Sequence, residues 1–257
     1  ILRERKFPVR EIRCFASERS AGKTVEFAGE PVSVERVTPE CFKGVEIAFF
    51  SAGSVQSKAF APMAVRAGAI VIDKSSAFRM DPDVPLVVPE INPHAVKGHK
   101  GIVASPNCTT VVTVMPLKPI HDAARIRRVV ATSYQAVSGS GVKGVEELRR
   151  QTLAWARGEP IEVKFFPHQI AFNVIPHIDR FDDSGYTGEE LKLVGEVRKI
   201  LEDPGIKISP TTVRVPVFTA HSVAVNVETE EKVTVARARD LFDRFPGLRL
   251  WDDPALN

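Results

Sequence analysis

Cys108 lies in the segment Ser105-Pro106-Asn107-Cys108-Thr109-Thr110, between two apolar runs, Gly101–Ala104 and Val111–Val114. Proline supplies no ladder donor, so Pro106 ends the strand-like run that precedes it. Thr109 and the residues after it can open a helix. Cys108 is therefore expected at a strand-to-helix turn, close to a helix N-terminus. Unpaired backbone N–H groups there favour anions and lower the pKa of a thiol. A nucleophilic thiolate is most easily made at such a place. On these residues alone a buried, inert cysteine is the competing reading.

The elements that must position this thiol fall into two textures. Glu11–Ala16, Val45–Phe50, Ala69–Ile72, Leu86–Val88 and Gly101–Ala104 read as short apolar strands. Ser54–Ala67 lies among them with apolar residues at helical spacing. Continuous apolar strands alternating with helices predict a parallel sheet covered on both faces, with ligands at the carboxyl ends of the strands. Ser51-Ala52-Gly53, Asp73–Ser76 and Ser105–Cys108 all fall at such ends.

After Cys108 the strands lengthen and alternate. Val129–Val137, Thr212–Val217 and Val223–Val227 read as half-buried strands, and Gly144–Arg157 as a helix. Thr187-Gly188-Glu189-Glu190 is a capping box that opens a helix running to about Leu201. Glu189 and Lys192 share a face of that helix, where a surface ion pair is the plain reading. Val213 and Val215 point away from the face that carries Arg214. This half predicts an α+β domain on a mostly antiparallel sheet, with the boundary at residues 107/108.

Composition bounds the function. The chain has 257 residues, 26% charged and 44% hydrophobic, as expected for a soluble globular protein. A net charge of +3 with interspersed acids and bases gives no footprint for nucleic acid. The 3 cysteines form no CxxC pair and the 6 histidines no HExxH, so neither a disulfide scaffold nor a metal site is predicted. No apolar run is long enough to span a bilayer, and no signal peptide is visible. A reducing cytoplasm fits the cysteine usage. Ile1–Pro8 reads as the last turns of a helix and Trp251–Asn257 as a turn, so both ends are expected to be cut.

Several segments in this order carry a closer likeness: Ala16–Lys23, Asp73–Met80, Ser105–Thr110, Tyr134–Gly139, Phe166–Asn173 and Arg214–Val217 with His221-Ser222. Together they resemble the bacterial type of the aspartate-semialdehyde dehydrogenase family, over essentially the whole chain. The resemblance implies an incomplete Rossmann-type NADP-binding domain over residues 1–107. It implies a glyceraldehyde-3-phosphate-dehydrogenase-like catalytic and dimerisation domain over 108–257.

The implied reaction is reduction of L-4-aspartyl phosphate by NADPH to aspartate 4-semialdehyde, through a cysteine thioester, in lysine, threonine, methionine and diaminopimelate biosynthesis. By the same resemblance Cys108 is the nucleophile, His221 the general acid/base and Gln135 the group that orients the acyl chain. Arg214 clamps the α-carboxylate and Glu189 the ammonium, while Lys192, Arg79 and Asn107 bind phosphate. Ser17, Arg19 and Ser20 form the 2′-phosphate pocket of NADP, and Ser51, Ala52, Gly53, Ser76, Ser138 and Gly139 complete the cofactor site. A homodimer or homotetramer is implied, with a small-molecule substrate and no nucleic-acid or membrane partner.

The chain departs from that pattern. The glycine-rich turn that would cradle the pyrophosphate is absent, as is the strand before it. Lys74 and Ser105 stand where the family often has asparagine. Loss of the first strand predicts exposed apolar edges and weakened cofactor binding. Two alternatives follow: a truncated, inactive product that still self-associates, or N-acetyl-γ-glutamyl-phosphate reductase. The second shares the Cys/His logic but acylates the substrate amine, and so has no use for an acid such as Glu189.

Overall fold

The computed structural model describes residues 1–253 and 255. The chain packs as two compact units, Ile1–Ala77 and the residues from Phe78 onward.

In the first unit β1 (Cys14–Ala16) pairs parallel with β3 (Glu30–Arg36). Strand β2 (Thr24–Phe27) pairs antiparallel with β3 through the two-residue turn Ala28-Gly29, at φ of 57° and 92°. Two left-handed residues give the turn the twist of its strands. The sequence reading missed this hairpin, because its turn lacks the usual Asn-Gly pair and Pro31 lies within β3.

Strands β4 (Ile47–Phe50) and β5 (Ile70–Asp73) pair in parallel, with α1 (Ser54–Arg66) as the crossover between them. Parallel neighbours need such a connection. Helix α1 buries Ala61 and Ala64, and Ala48, Phe50, Val71 and Asp73 are buried on the strands. The alternate residues Ile47, Phe49 and Ile70 are 38%, 56% and 40% exposed. The predicted cover on both faces is thus present on one face only, where the unit's own α-helix lies. Residues 2–6 form turns rather than the end of a helix. A single turn has too few hydrogen bonds to offset its nucleation.

The second unit contains β6 (Ile102–Ala104), α2 (Cys108–Ala124), β7 (Ile126–Gln135), α3 (Val142–Ala156), α4 (Gly188–Ile200), β8 (Lys207–Arg214), β9 (Ser222–Thr229) and α5 (Val235–Arg244). Leu86 makes only an isolated bridge to Ala104 where a strand was expected. The sheet order is β8-β7-β9. Strand β7 is parallel to β8 and antiparallel to β9. The expected mostly antiparallel sheet is therefore mixed. Helices α3 and α4 lie between β7 and β8 in the chain, and that long crossover returns β8 in the parallel sense.

Register does the positioning. Gln135 lies opposite Arg214, and Tyr134 opposite Ser222. The ends of β7 and β8 and the start of β9 therefore meet at one edge. Beneath them α2, α4 and β7 share a core of Val114, Leu117, Ile120, Ile126, Val129, Leu193, Val197 and Ile200. Val84, Leu86, Val88, Ile91 and Ala104 join it. Packing thus divides the chain at 77/78, ahead of the boundary drawn from texture at 107/108. No helix among the described residues is long and apolar enough to cross a membrane.

Candidate active site

Cys108 is the first residue of α2 and is exposed. Asn107 caps the helix, its side-chain oxygen accepting the N–H groups of Thr109 at 2.8 Å and Thr110 at 3.4 Å. A capping amide satisfies orphan donors of the first turn. Cys108 Sγ lies 3.3 Å from His221 Nε2. The backbone N–H of Ala136 donates to His221 Nδ1 at 3.1 Å. Burial and the nearby charge of Arg214 hold the imidazole below the usual histidine range, against the pull of the Ala220 carbonyl and Glu189. Ala220 adopts φ +70°, a strained setting for a residue with a Cβ, just before His221.

The ends of β7 and β8 supply two buried polar groups. Arg214 is 6% exposed and donates through Nη1 to the Ala136 carbonyl at 2.8 Å. Burial lowers its pKa while Glu189 and Cys108 pull the other way. Gln135 is buried and donates to Glu189 Oε1 at 3.2 Å and to Ser133 Oγ at 3.3 Å. Gly139 lies against Arg214 and His221: a Cβ there would come within 3.0 Å of Arg214 Nη1 and 3.1 Å of His221 Cε1. Ser138 donates its backbone N–H to the Phe218 carbonyl.

Helix α4 carries the acidic side. Its capping box is complete: Thr187 Oγ1 accepts from Glu190 N, and Glu190 accepts the Thr187 N–H. Glu190 Oε1 also accepts the N–H of Thr212, tying the helix start to β8. Glu189 is buried, and its Oε1 accepts Asn107 Nδ2 at 3.0 Å as well as Gln135. Both ends of the Asn107 amide are thus engaged within the protein. Lys192 donates to Asp179 Oδ2 at 2.7 Å and lies 3.6 Å from Glu189 Oε2. Burial opposes its charge, but Asp179 and Glu189 outweigh burial and raise the pKa. Gly188 makes room for Asp179, whose Oδ2 would lie 2.7 Å from any Cβ.

Arg79 is buried, its Nε donating to the Ser105 carbonyl at 2.9 Å and its Nη1 to Glu196 Oε1 at 3.0 Å. Asp179 and Glu196 are site residues that sequence reading missed. Glu196 shares the face of Glu189 on α4, so the spacing was visible. Its burial was not. Cys108, His221, Gln135, Arg214, Glu189, Lys192, Arg79 and Asn107 all belong to the second unit, linked by the contacts above.

In the first unit Ser17 and Arg19 are exposed just after β1, with Ser20 partly buried. Ser51, Ala52 and Gly53 are exposed between β4 and α1. Gly53 caps α1 at φ +92°, a conformation that favours glycine. Ser76 Oγ lies 2.9 Å from Ser54 Oγ. The buried Asp73, which the sequence placed at a strand end without a role, fixes this loop: it accepts Ser57 Oγ at 2.7 Å and Ser75 Oγ at 2.8 Å. An open helix N-terminus flanked by hydroxyls and capped by a glycine fits a dinucleotide's phosphates. Among the described residues no group of His, Cys, Asp and Glu could hold a metal ion.

A thiol on a helix N-terminus, in reach of an imidazole and flanked by a buried guanidinium and a buried carboxylate, is an arrangement suited to cysteine-dependent acyl transfer. Residues 1–99 match the family model described as semialdehyde dehydrogenase, NAD binding domain, and residues 117–256 that described as semialdehyde dehydrogenase, dimerisation domain. An aspartate-semialdehyde dehydrogenase of Aquifex aeolicus is 51% identical over 261 residues, covering 100% of this chain and 77% of its own length. One from Bacillus subtilis is 45% identical, with 99% and 76% covered. The crystal structure of aspartate semialdehyde dehydrogenase II complexed with ASA, from Vibrio cholerae, matches at TM-score 0.95 and 48% identity, over 97% of this chain and 75% of that one. The chain belongs to the aspartate-semialdehyde dehydrogenase family.

Proposed function

We propose that the protein reduces L-4-aspartyl phosphate to L-aspartate 4-semialdehyde with release of phosphate, as a step in lysine, threonine, methionine and diaminopimelate biosynthesis. The observation that carries this reading is the 3.3 Å approach of His221 Nε2 to Cys108 Sγ beside buried Arg214.

In the first step Cys108 attacks the acyl carbon. A C–S bond forms, the C–O bond to phosphate breaks, and phosphate leaves with the bonding pair. NADPH, when bound, would supply the hydride for the resulting thioester. His221 donates from Nε2 to the oxyanion that develops on the acyl oxygen. Collapse of that oxyanion breaks the C–S bond, freeing the aldehyde and returning the thiolate. Arg214 holds the α-carboxylate, Glu189 the ammonium and Gln135 the acyl chain. Arg79 and Lys192 take the phosphate. Asn107 joins them only by giving up its bond to Glu189.

For the cofactor, Ser17, Arg19 and Ser20 hold the 2′-phosphate, and the turn 51–53 and Ser76 hold the rest. Residues 1–107 serve binding of NADP and residues 108–257 serve catalysis and self-association, as a homodimer that can pair into a tetramer.

The test runs the reaction in reverse, with aspartate semialdehyde, phosphate and NADP, following NADPH absorbance. Phosphate-dependent reduction of NADP, abolished in Cys108→Ser, supports the reading. Full activity in Cys108→Ser overturns it.

A further inference from the structure

We infer that Glu196 is a positioning residue that sets the phosphate-binding arginine and the turn delivering the nucleophile at the same time. The inference rests on the reading above, in which Arg79 binds phosphate.

Glu196 is 1% exposed, in the interior of α4. A buried carboxylate is retained only where its oxygens are paired. Its two oxygens serve different segments. Oε1 accepts Arg79 Nη1 at 3.0 Å, and Oε2 accepts the backbone N–H of Asn107 at 2.7 Å. Arg79 Nε closes the circuit on the Ser105 carbonyl at 2.9 Å. One carboxylate therefore orients the guanidinium plane and fixes the residue immediately before Cys108.

The backbone near Arg79 has a separate anchor. Lys199, one turn further along α4, donates to the carbonyls of Arg79, Asp81 and Val84 at 2.8, 2.7 and 2.8 Å. Removing the charge of Glu196 therefore loosens Arg79 Nη1, while Nε stays on the Ser105 carbonyl and the main chain stays held. Glu196→Gln keeps the volume and an oxygen for Asn107 N, and discards the negative charge that Arg79 Nη1 is bonded to.

The experiment follows alkylation of Cys108 by iodoacetamide and its protection by inorganic phosphate, which needs no cofactor. In the wild type phosphate slows alkylation saturably. In Glu196→Gln the half-protecting phosphate concentration rises about tenfold or more, the loss of one charge-assisted orientation. The rate without phosphate changes far less. Arg79→Gln, which leaves Glu196 on Asn107, shows the same weakened protection, and the double variant is no worse than Arg79→Gln alone. Glu196→Asp, with the charge kept on a shorter arm, falls between wild type and Glu196→Gln, and carries the test if Glu196→Gln loses its fold by circular dichroism. Unchanged protection in the folded Glu196 variants, or additive losses in the double variant, overturns the inference. Absence of protection in the wild type overturns the underlying phosphate reading instead, and with it this one.

Discussion

His221 Nδ1 accepts the backbone N–H of Ala136 at 3.1 Å, so the neutral ring carries its proton on Nε2, the nitrogen that faces Cys108 Sγ. In that tautomer the imidazole is a donor toward sulfur, and it stabilises a thiolate rather than receiving a thiol proton. To accept a proton at Nε2 the ring must shift its own to Nδ1 and release Ala136. The acid/base role expected from sequence thus acquires a resting state: donor first.

Titration of His221 checks this directly. Burial and Arg214 lower its folded pKa, so the ring stays neutral until pH falls below the usual histidine range. The unfolded chain binds this proton first, so the neutral ring's contribution to stability is present above the ordinary histidine pKa. It is lost as pH falls from there through the depressed value. Ring resonances followed by NMR are expected to move below pH ~6.5, the unperturbed value. Arg214→Gln, with the nearby cation removed, is expected to move the midpoint upward. A midpoint at or above the ordinary value in the wild type contradicts the assignment.

Gly139 lacks a side chain because Arg214 and His221 occupy the space. Gly139→Ala is expected to push one of them out of place, at a cost of about 1–3 kcal/mol for overpacking. The loss should appear as a fall in kcat/KM of about tenfold or more, together with a thermal midpoint lowered by several degrees. Wild-type kinetics in this variant would mean that neither side chain needs its observed position.

Glu189→Gln removes the only buried negative charge bonded to both Asn107 and Gln135 among the described residues. KM for aspartate semialdehyde is expected to rise about tenfold or more as the ammonium loses its counter-ion. The wild type is expected to leave N-acetylated glutamyl phosphate unused. Equal turnover of both acyl phosphates would instead favour the reductase of acetylated substrates.

Thr187→Ala removes the α4 cap and is expected to lower stability by about 1 kcal/mol, read from urea unfolding. Activity should fall with it, since Glu190 of the same box holds Thr212 on β8.

Some of this site was legible in the residues and some was not. The capping box announced α4 to within a residue, because Thr187 and Glu190 act locally. Pro106 and the apolar runs around it placed Cys108 at the start of α2 for the same reason. The hairpin of β2 and β3 was silent, since Ala28 adopts a left-handed turn that its side chain disfavours. The parallel pairing of β7 with β8 was not visible either. Alternation shows which face is buried, not the sense of the neighbouring strand. Glu196 went unremarked because its burial is a property of the assembled core, which one segment does not report, and Asp179 because its bond to Lys192 joins a loop to a helix distant in the chain.

Along α4, Glu189, Lys192, Glu196 and Lys199 follow one another on the side turned to the site. Each residue of an α-helix advances the direction of its side chain by about 100°. One inserted or deleted residue between Thr187 and Glu189 would swing all four away together, and would bring Leu193 and Val197 out of the core as it did so. The helix therefore behaves like a key cut to one length. Variation in chain length is tolerable in the loop before Thr187, whereas the stretch from the cap to Lys199 is held at a fixed count by the chemistry it serves.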